Sequence, residues 1–286
     1  LGSGQAQSRN MFRLLDPLSQ RMMGVRTDMT GQVARISHTR LSNVERPLRL
    51  SYAGDVLRVK GTQLRPERQF KQVGAELIGT NTTEAYVEII LLGYEALKDA
   101  GVNNLSIDLT VPLLVPVILK ELALEKEISD LVRCALDAKN IGEIANIKGE
   151  IGTISRDLLK AAGPAEKSLK ILRNIELPKK AREICDELGK LIELLKKIKP
   201  ELVITIDPGE YTGFEYQTGI SFSLFASGVR GELGRGGRYL VNAECGDGEP
   251  ATGFSLYPDS LMRALGSFET EKKIFIPSLM EINLHL

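Results

Sequence analysis

Residues 70–78 read FKQVGAELI, with Phe70, Gln72, Gly74 and Glu76 interleaved with Lys71, Val73, Ala75 and Leu77. A period of two predicts a strand with Gln72, Gly74 and Glu76 on one face. Upstream, residues 48–52 and 56–59 gather β-forming side chains, punctuated by Gly54 and Gly61-Thr62, and predict two short strands. Thr82-Thr83-Glu84 predicts a helix start. An apolar stripe of Ala85, Ile89, Leu92, Ala96 and Leu97 follows and stops at Gly101. Residues 105–109 (LSIDL) alternate again and predict another strand.

Between residues 116 and 199 strand signals fade, aromatic residues vanish, and Leu, Ile, Lys and Glu dominate. Leu188, Leu191, Ile192, Leu194, Leu195 and Ile198 recur at helical spacing, so the segment reads as a helical insertion with packing stripes. Breaks are predicted near Gly142, Gly152, Gly163-Pro164 and Pro178. Strand character returns at 202–206 (LVITI), 218–225 (TGISFSLF) and 252–256, with a glycine-rich connection at 228–237 and a helix at 259–265. Strands on either side of a helical middle predict an α+β domain. It is built on an antiparallel sheet from residues 1–115 and 200–286, interrupted by the insertion at 116–199.

Composition narrows the chemistry. The 286 residues carry 37 Lys and Arg against 37 Asp and Glu, so no uniformly basic coat for nucleic acid is present. The balance hides an asymmetry: residues 1–71 hold thirteen Lys and Arg but five Asp and Glu, an excess that can steer an anion or an acidic surface. Cys134, Cys185 and Cys245 lie far apart and form neither a disulfide framework nor a zinc ribbon, which suits a reducing cytosol. With only His38 and His285 as imidazoles, a multi-histidine metal centre is excluded and no metal or cofactor is expected. The longest apolar run, residues 111–119, is too short for a membrane span and contains two prolines. Residues 1–7 lack a charged stretch followed by an apolar one, so no signal peptide and a cytoplasmic location are expected. Residues 231–239 (GELGRGGRY) fit neither nucleotide-loop fingerprint, and no Ser or Cys has a histidine at a recognisable spacing.

Several motifs in order carry a resemblance. Arg65-Pro66-Glu67-Arg68-Gln69-Phe70-Lys71-Gln72-Val73-Gly74-Ala75-Glu76 resembles the segment after the motif 2 arginine of histidyl-tRNA synthetases, with Arg58 at that arginine's place. Arg26-Thr27-Asp28-Met29-Thr30 is similar to the loop that holds the histidine amino group. Phe214-Glu215-Tyr216-Gln217-Thr218-Gly219 resembles the tyrosine motif, and Gly234-Arg235-Gly236-Gly237-Arg238-Tyr239 the glycine-rich loop. The resemblance implies a class II aminoacyl-tRNA synthetase-like fold and a histidine pocket. Asp28 and Thr30 would take the α-amino group, Gln72 and Glu76 would assist at the polar end, and Tyr216 would lie near the imidazole. Arg58 and Phe70 would be remnants of a nucleotide site.

The departures from the family pattern concern the nucleotide. Lys60 stands where a carboxylate reads adenine, Thr212 where the second catalytic arginine belongs, and Ser260 where the motif 3 arginine grips ATP. Each missing donor costs on the order of 2–4 kcal/mol of transition-state stabilisation, so adenylation is expected to be lost. A kept amino-acid pocket with a lost reaction resembles the regulatory subunits of ATP phosphoribosyltransferase. That resemblance implies a non-catalytic partner of the short-form catalytic subunit in the first step of histidine biosynthesis, taking part in feedback inhibition by L-histidine. In these 286 residues the resemblance gives the N-terminal helix and motif 1 strand of such folds no counterpart, and no anticodon-binding domain is expected in the residues that follow Leu265. Dimers are expected of a full-length chain. The alternatives are a divergent histidyl-tRNA synthetase catalytic fragment and a stand-alone histidine sensor.

Overall fold

The structure is a computed structural model and describes residues 10–61, 67–210, 217–241 and 248–266. A short hairpin, β1 (Arg13–Leu15) and β2 (Met22–Gly24), precedes helix α1 (Thr30–Thr39). The strands β3 (Leu48–Leu57) and β4 (Gln69–Ile78) then pair antiparallel along their whole length, from Leu48↔Ile78 to Leu57↔Gln69. The two short strands predicted at 48–52 and 56–59 are thus one continuous strand that runs through Gly54. Helix α2 (Thr83–Asp99) follows, with the Thr82 side chain accepting from the Ala85 amide as its N-terminal cap. The helix stops at Gly101, whose φ of +97° suits a residue without a Cβ.

Strand β5 (Leu105–Thr110) leads into six helices: α3 (Leu114–Glu121), α4 (Lys126–Asp137), α5 (Ile141–Asn146), α6 (Gly149–Lys160), α7 (Ala165–Asn174) and α8 (Lys179–Ile198). The two-residue strand β6 (Gly163–Pro164) sits between α6 and α7. The break predicted at Gly152 is absent, because α6 runs straight through it. Then come β7 (Val203–Asp207), β8 (Gln217–Ala226), β9 (Gly234–Val241), β10 (Glu249–Leu256) and α9 (Pro258–Leu265). Part of the predicted glycine-rich connection is therefore the strand β9.

The main sheet has the order β3-β4-β10-β9-β8-β5-β7-β6. Every pair is antiparallel except β5 with β7, so the expected antiparallel sheet is mixed at that one place. The physical reason is the connection: the helical segment carries the chain back to the starting end, as a parallel neighbour requires.

One face of the sheet is apolar and lies under α2. Ile107, Leu109, Phe222, Leu224 and Phe254 from the strands meet Tyr86, Ile90 and Leu97 from the helix. Leu92, placed on the packing stripe by spacing, is exposed, and Tyr86, Ile90 and Tyr94 are buried instead. The same core continues into the helical segment, where Leu188, Leu191, Ile192 and Leu195 line the inner side of α8.

Arg238 of β9 knits these layers. It is 8% exposed, and its guanidinium carbon lies 3.9 Å from the Tyr86 ring centroid. It donates to the Thr82 carbonyl, to Thr252 Oγ1 at 3.3 Å and to Glu187 of α8 at 3.3 Å. Arg238→Ala is expected to destabilise the chain by about 2–4 kcal/mol in urea unfolding, since it leaves a cavity and an unpaired carbonyl. Glu187→Gln, at a carboxylate more than a third exposed, is expected to cost less than about 1 kcal/mol.

Candidate functional site

The opposite face of the sheet is polar. Alternation along β4 puts Gln72 and Glu76 on it, at 1% and 2% exposure, so both are buried rather than solvated. Helix α1 and the turn before it close over this face, and Met29, Val33 and Ala34 pack on Tyr52, Phe70 and Tyr239. Asp28 is held by the turn itself, its Oδ1 accepting from the Thr30 amide at 2.8 Å.

Gln72 links the helix turn to the sheet. Its Oε1 accepts from the Met29 amide at 3.0 Å, and its Nε2 donates to Asp28 Oδ2 at 3.3 Å and to Ser255 Oγ at 2.6 Å. The Tyr52 hydroxyl lies 2.8 Å from Ser255 Oγ and 3.3 Å from Thr30 Oγ1. Arg58 reaches Asp28 at 3.9 Å, donates to the Thr27 carbonyl at 3.1 Å and lies 4.9 Å over the Phe70 ring. Phe70 in turn meets Tyr257 edge-on at 5.8 Å.

The deepest group is Glu76. Tyr239 donates to its Oε2 at 2.9 Å. Glycines make the space: a Cβ on Gly253 would lie 1.6 Å from Glu76 Oε2, and one on Gly74 would lie 2.4 Å from the Tyr52 hydroxyl. Burial raises the Glu76 pKa to about 8; hydrogen bonds from Tyr239, Thr30 and Tyr52 oppose the shift, and the Asp28 charge adds to it. Burial pushes the Tyr52 hydroxyl well above the usual tyrosine range too.

The structure brings Asp28, Thr30, Gln72 and Glu76 together, with Arg58 and Phe70 beside them. Tyr216 and Thr212 lie outside the described residues. Tyr52, Tyr239 and Ser255 belong to the same network, although spacing alone did not single them out as pocket residues. Their signal is cross-strand: Tyr52 pairs with Gly74, and Gly253 pairs with Glu76. Among the described residues, no group of His, Cys, Asp or Glu is arranged to hold a metal ion, and no helix is long and apolar enough to cross a membrane. The site is a buried set of acceptors, amides and hydroxyls whose chemistry suits a small ligand carrying nitrogen donors.

Glu76 has a consequence for stability. A glutamate in the unfolded chain ionises near pH 4.5, whereas folded Glu76 keeps its proton to about 8. Between those values the unfolded state binds fewer protons, so this group's effect is to lower stability as pH rises through the window. Glu76→Gln removes that contribution. In urea unfolding the variant is expected to gain on the unaltered chain between about pH 5 and about pH 9, with no further gain above that range.

Comparison with known proteins extends the picture. The histidyl-tRNA synthetase family model matches residues 1–261. An ATP phosphoribosyltransferase regulatory subunit from Rhodospirillum centenum is 51% identical over 276 residues, 96% of this chain and 71% of the relative. A regulatory subunit of the same description from Paramagnetospirillum magneticum is 48% identical, over 97% of this chain and 72% of its own length. The crystal structure of an ATP phosphoribosyltransferase regulatory subunit/histidyl-tRNA synthetase from Bacillus halodurans superposes with a TM-score of 0.79 at 28% identity, covering 91% of this chain and 69% of the other. An ATP phosphoribosyltransferase complex from Thermotoga maritima shares the fold at a TM-score of 0.67 and 21% identity, over 86% of this chain and 85% of the other. The chain belongs to the ATP phosphoribosyltransferase regulatory subunits, a family built on the class II fold of histidyl-tRNA synthetase.

Proposed function

We propose that the chain binds a short-form ATP phosphoribosyltransferase catalytic subunit, activates it in the first step of histidine biosynthesis, and takes part in feedback inhibition by binding L-histidine in the pocket around Glu76. The observation that carries this reading is a buried hydrogen-bonded network that stands beside the place where the resemblance puts an incomplete nucleotide site. Asp28, Gln72 and Tyr52 are joined by hydrogen bonds through Ser255, and Glu76 accepts from Tyr239, Thr30 and Tyr52. Ser260, at the place that the resemblance gives to the ATP-gripping arginine, is 2% exposed and its Oγ accepts from Arg263 at 3.0 Å. Lys60, at the adenine-reading place, is exposed.

In this reading the histidine ammonium lies against Asp28 and the Thr30 turn, and the imidazole N–H is aimed at Glu76, with Tyr216 beside the ring. An N–H donor at Glu76 would stabilise the ionised carboxylate, offsetting the burial that favours its neutral form. Inhibition then follows from histidine binding the inactive assembly more tightly than the active one, a coupling of about 1–3 kcal/mol. The protein would work in the cytoplasm, and a full-length chain would associate into dimers.

The direct experiment reconstitutes the short-form catalytic subunit with and without the full-length regulatory chain, and with and without histidine. Phosphoribosyl transfer is expected to rise on adding the chain and to fall on adding histidine, and histidine-dependent ATP–pyrophosphate exchange is expected to be absent. Activity that ignores the chain, or exchange catalysed by it, overturns the reading. Asp28→Ala is expected to weaken histidine binding at least about tenfold by calorimetry, the loss of one charge-assisted hydrogen bond.

A further inference from the structure

Alternation along β9 sorts its side chains between the two faces of the sheet. Tyr239 reaches Glu76 on the polar face, and Arg238 stacks on Tyr86 on the apolar one. The strand pairs with β10 without a shift from Gly234 to Val241, so Arg235, two alternate positions before Tyr239, lies on the polar face. Its cross-strand partners are Ser255 of β10 and Ser223 of β8. Ser255 is the hydroxyl on which Gln72 and Tyr52 converge, at 2.6 and 2.8 Å. Paired antiparallel residues have Cα atoms about 4.5–5.5 Å apart. An arginine therefore rises beside the centre of the hydrogen-bonded network.

The sign of its charge sets Arg235 apart. The row to which it belongs runs Tyr52, Gly74, Ser255, Arg235, Ser223, Asp108 across six strands, and the next row holds Glu76. Among the described strand residues on this face, Arg235 is the only Lys or Arg. Glu232 steadies it, its Oε2 accepting from Arg235 Nε at 2.9 Å and from Nη2 at 2.8 Å, with the arginine partly exposed. A planar guanidinium has five N–H donors, so it can serve a second carboxylate while it keeps the first.

We propose that Arg235 is a specificity-determining residue of the pocket that takes the α-carboxylate of the bound amino acid. The proposal rests on the amino-acid reading of the site. The ammonium of that ligand lies against Asp28, and its carboxylate is only one carbon away. Gln72 Nε2 donates both to Asp28 and to Ser255, so the group beside the ammonium falls within reach of the residue opposite Ser255. A carboxylate brought close to Asp28 without a cation meets like charge. Thr212, at the place that the resemblance gives to a second arginine, has no charge to offer. Arg58 follows β3, with β4 and β10 between it and β9, and it is engaged by Asp28, the Thr27 carbonyl and the Phe70 ring. Arg235 thus separates a free amino acid from an amine or ester with the same side chain.

The test is calorimetry on the full-length chain with L-histidine, L-histidine methyl ester and histamine. The ester masks the carboxylate and histamine lacks it, while both keep the amine and the ring. The unaltered chain is expected to prefer histidine to either by at least about tenfold. Arg235→Gln is expected to weaken histidine about tenfold and to leave the ester and histamine within about twofold, so the preference collapses. Arg235→Lys, which keeps the charge without the fork, is expected to restore part of it. Histidine and its ester bound equally by the unaltered chain overturn the proposal, whether or not the variants fold. An undiminished preference in a folded Arg235→Gln also overturns it. No histidine binding by the unaltered chain overturns the reading of the site itself, and the proposal with it.

Discussion

A carboxyl group buried in the middle of a sheet is the constraint around which the polar face is arranged. Glu76 is 2% exposed, and the groups that act on it are the hydroxyls of Tyr239, Thr30 and Tyr52 and the charge of Asp28. A buried acid without partners costs several kcal/mol, so each neighbour must supply a hydrogen bond or make room. Gly253 makes room, Tyr239 donates from two strands away, and the turn before α1 brings Thr30. The result is a group whose burial favours its neutral form.

The two faces of β9 connect this site with the rest of the molecule. Tyr239 points to Glu76, and its neighbour Arg238 points the other way into Tyr86, Thr82 and Glu187. The pocket strand is thereby anchored to the start of α2 and to α8 of the helical segment. A buried Arg stacked on an aromatic ring and paired to a carbonyl holds its strand in register more firmly than apolar packing alone, because its planar fork has few alternative partners. The apolar layer under α2 supplies the bulk of the stability, and the polar layer supplies the placement of the site.

Much of the fold was readable from local pattern. The alternation through residues 70–78 puts Gln72 and Glu76 on one face because a strand has no other choice, and Thr82 caps its helix because its hydroxyl satisfies an orphan amide. Misreadings occurred where tertiary packing overrides local preference. Gly152 sits inside α6, since its missing Cβ lets the Ile147 carbonyl approach to a distance that a Cβ would bring to 1.9 Å. Leu92 lies on the outer side of α2, where the stripe rotated away from the sheet. The single parallel pair, β5 with β7, follows from where the helical segment returns the chain, which no window of residues reports.

The sequence by itself determined which residues are candidates for the site, because Asp28, Thr30, Gln72, Glu76 and Arg58 occur in motifs whose order and alternation are local properties. It marked as well where the chain departs from the synthetase pattern it resembles, with Lys60 in place of a carboxylate and Thr212 and Ser260 in place of arginines. Only the tertiary structure decided which of these groups touch and which are buried. The pairing of Gly253 with Glu76, of Gly253 with Gly237, and of Gln217 with Tyr239 joins residues far apart in the chain. Register between distant strands is set by the whole sheet closing on its apolar face, so the environment of the Glu76 carboxylate exists only once the sheet is assembled.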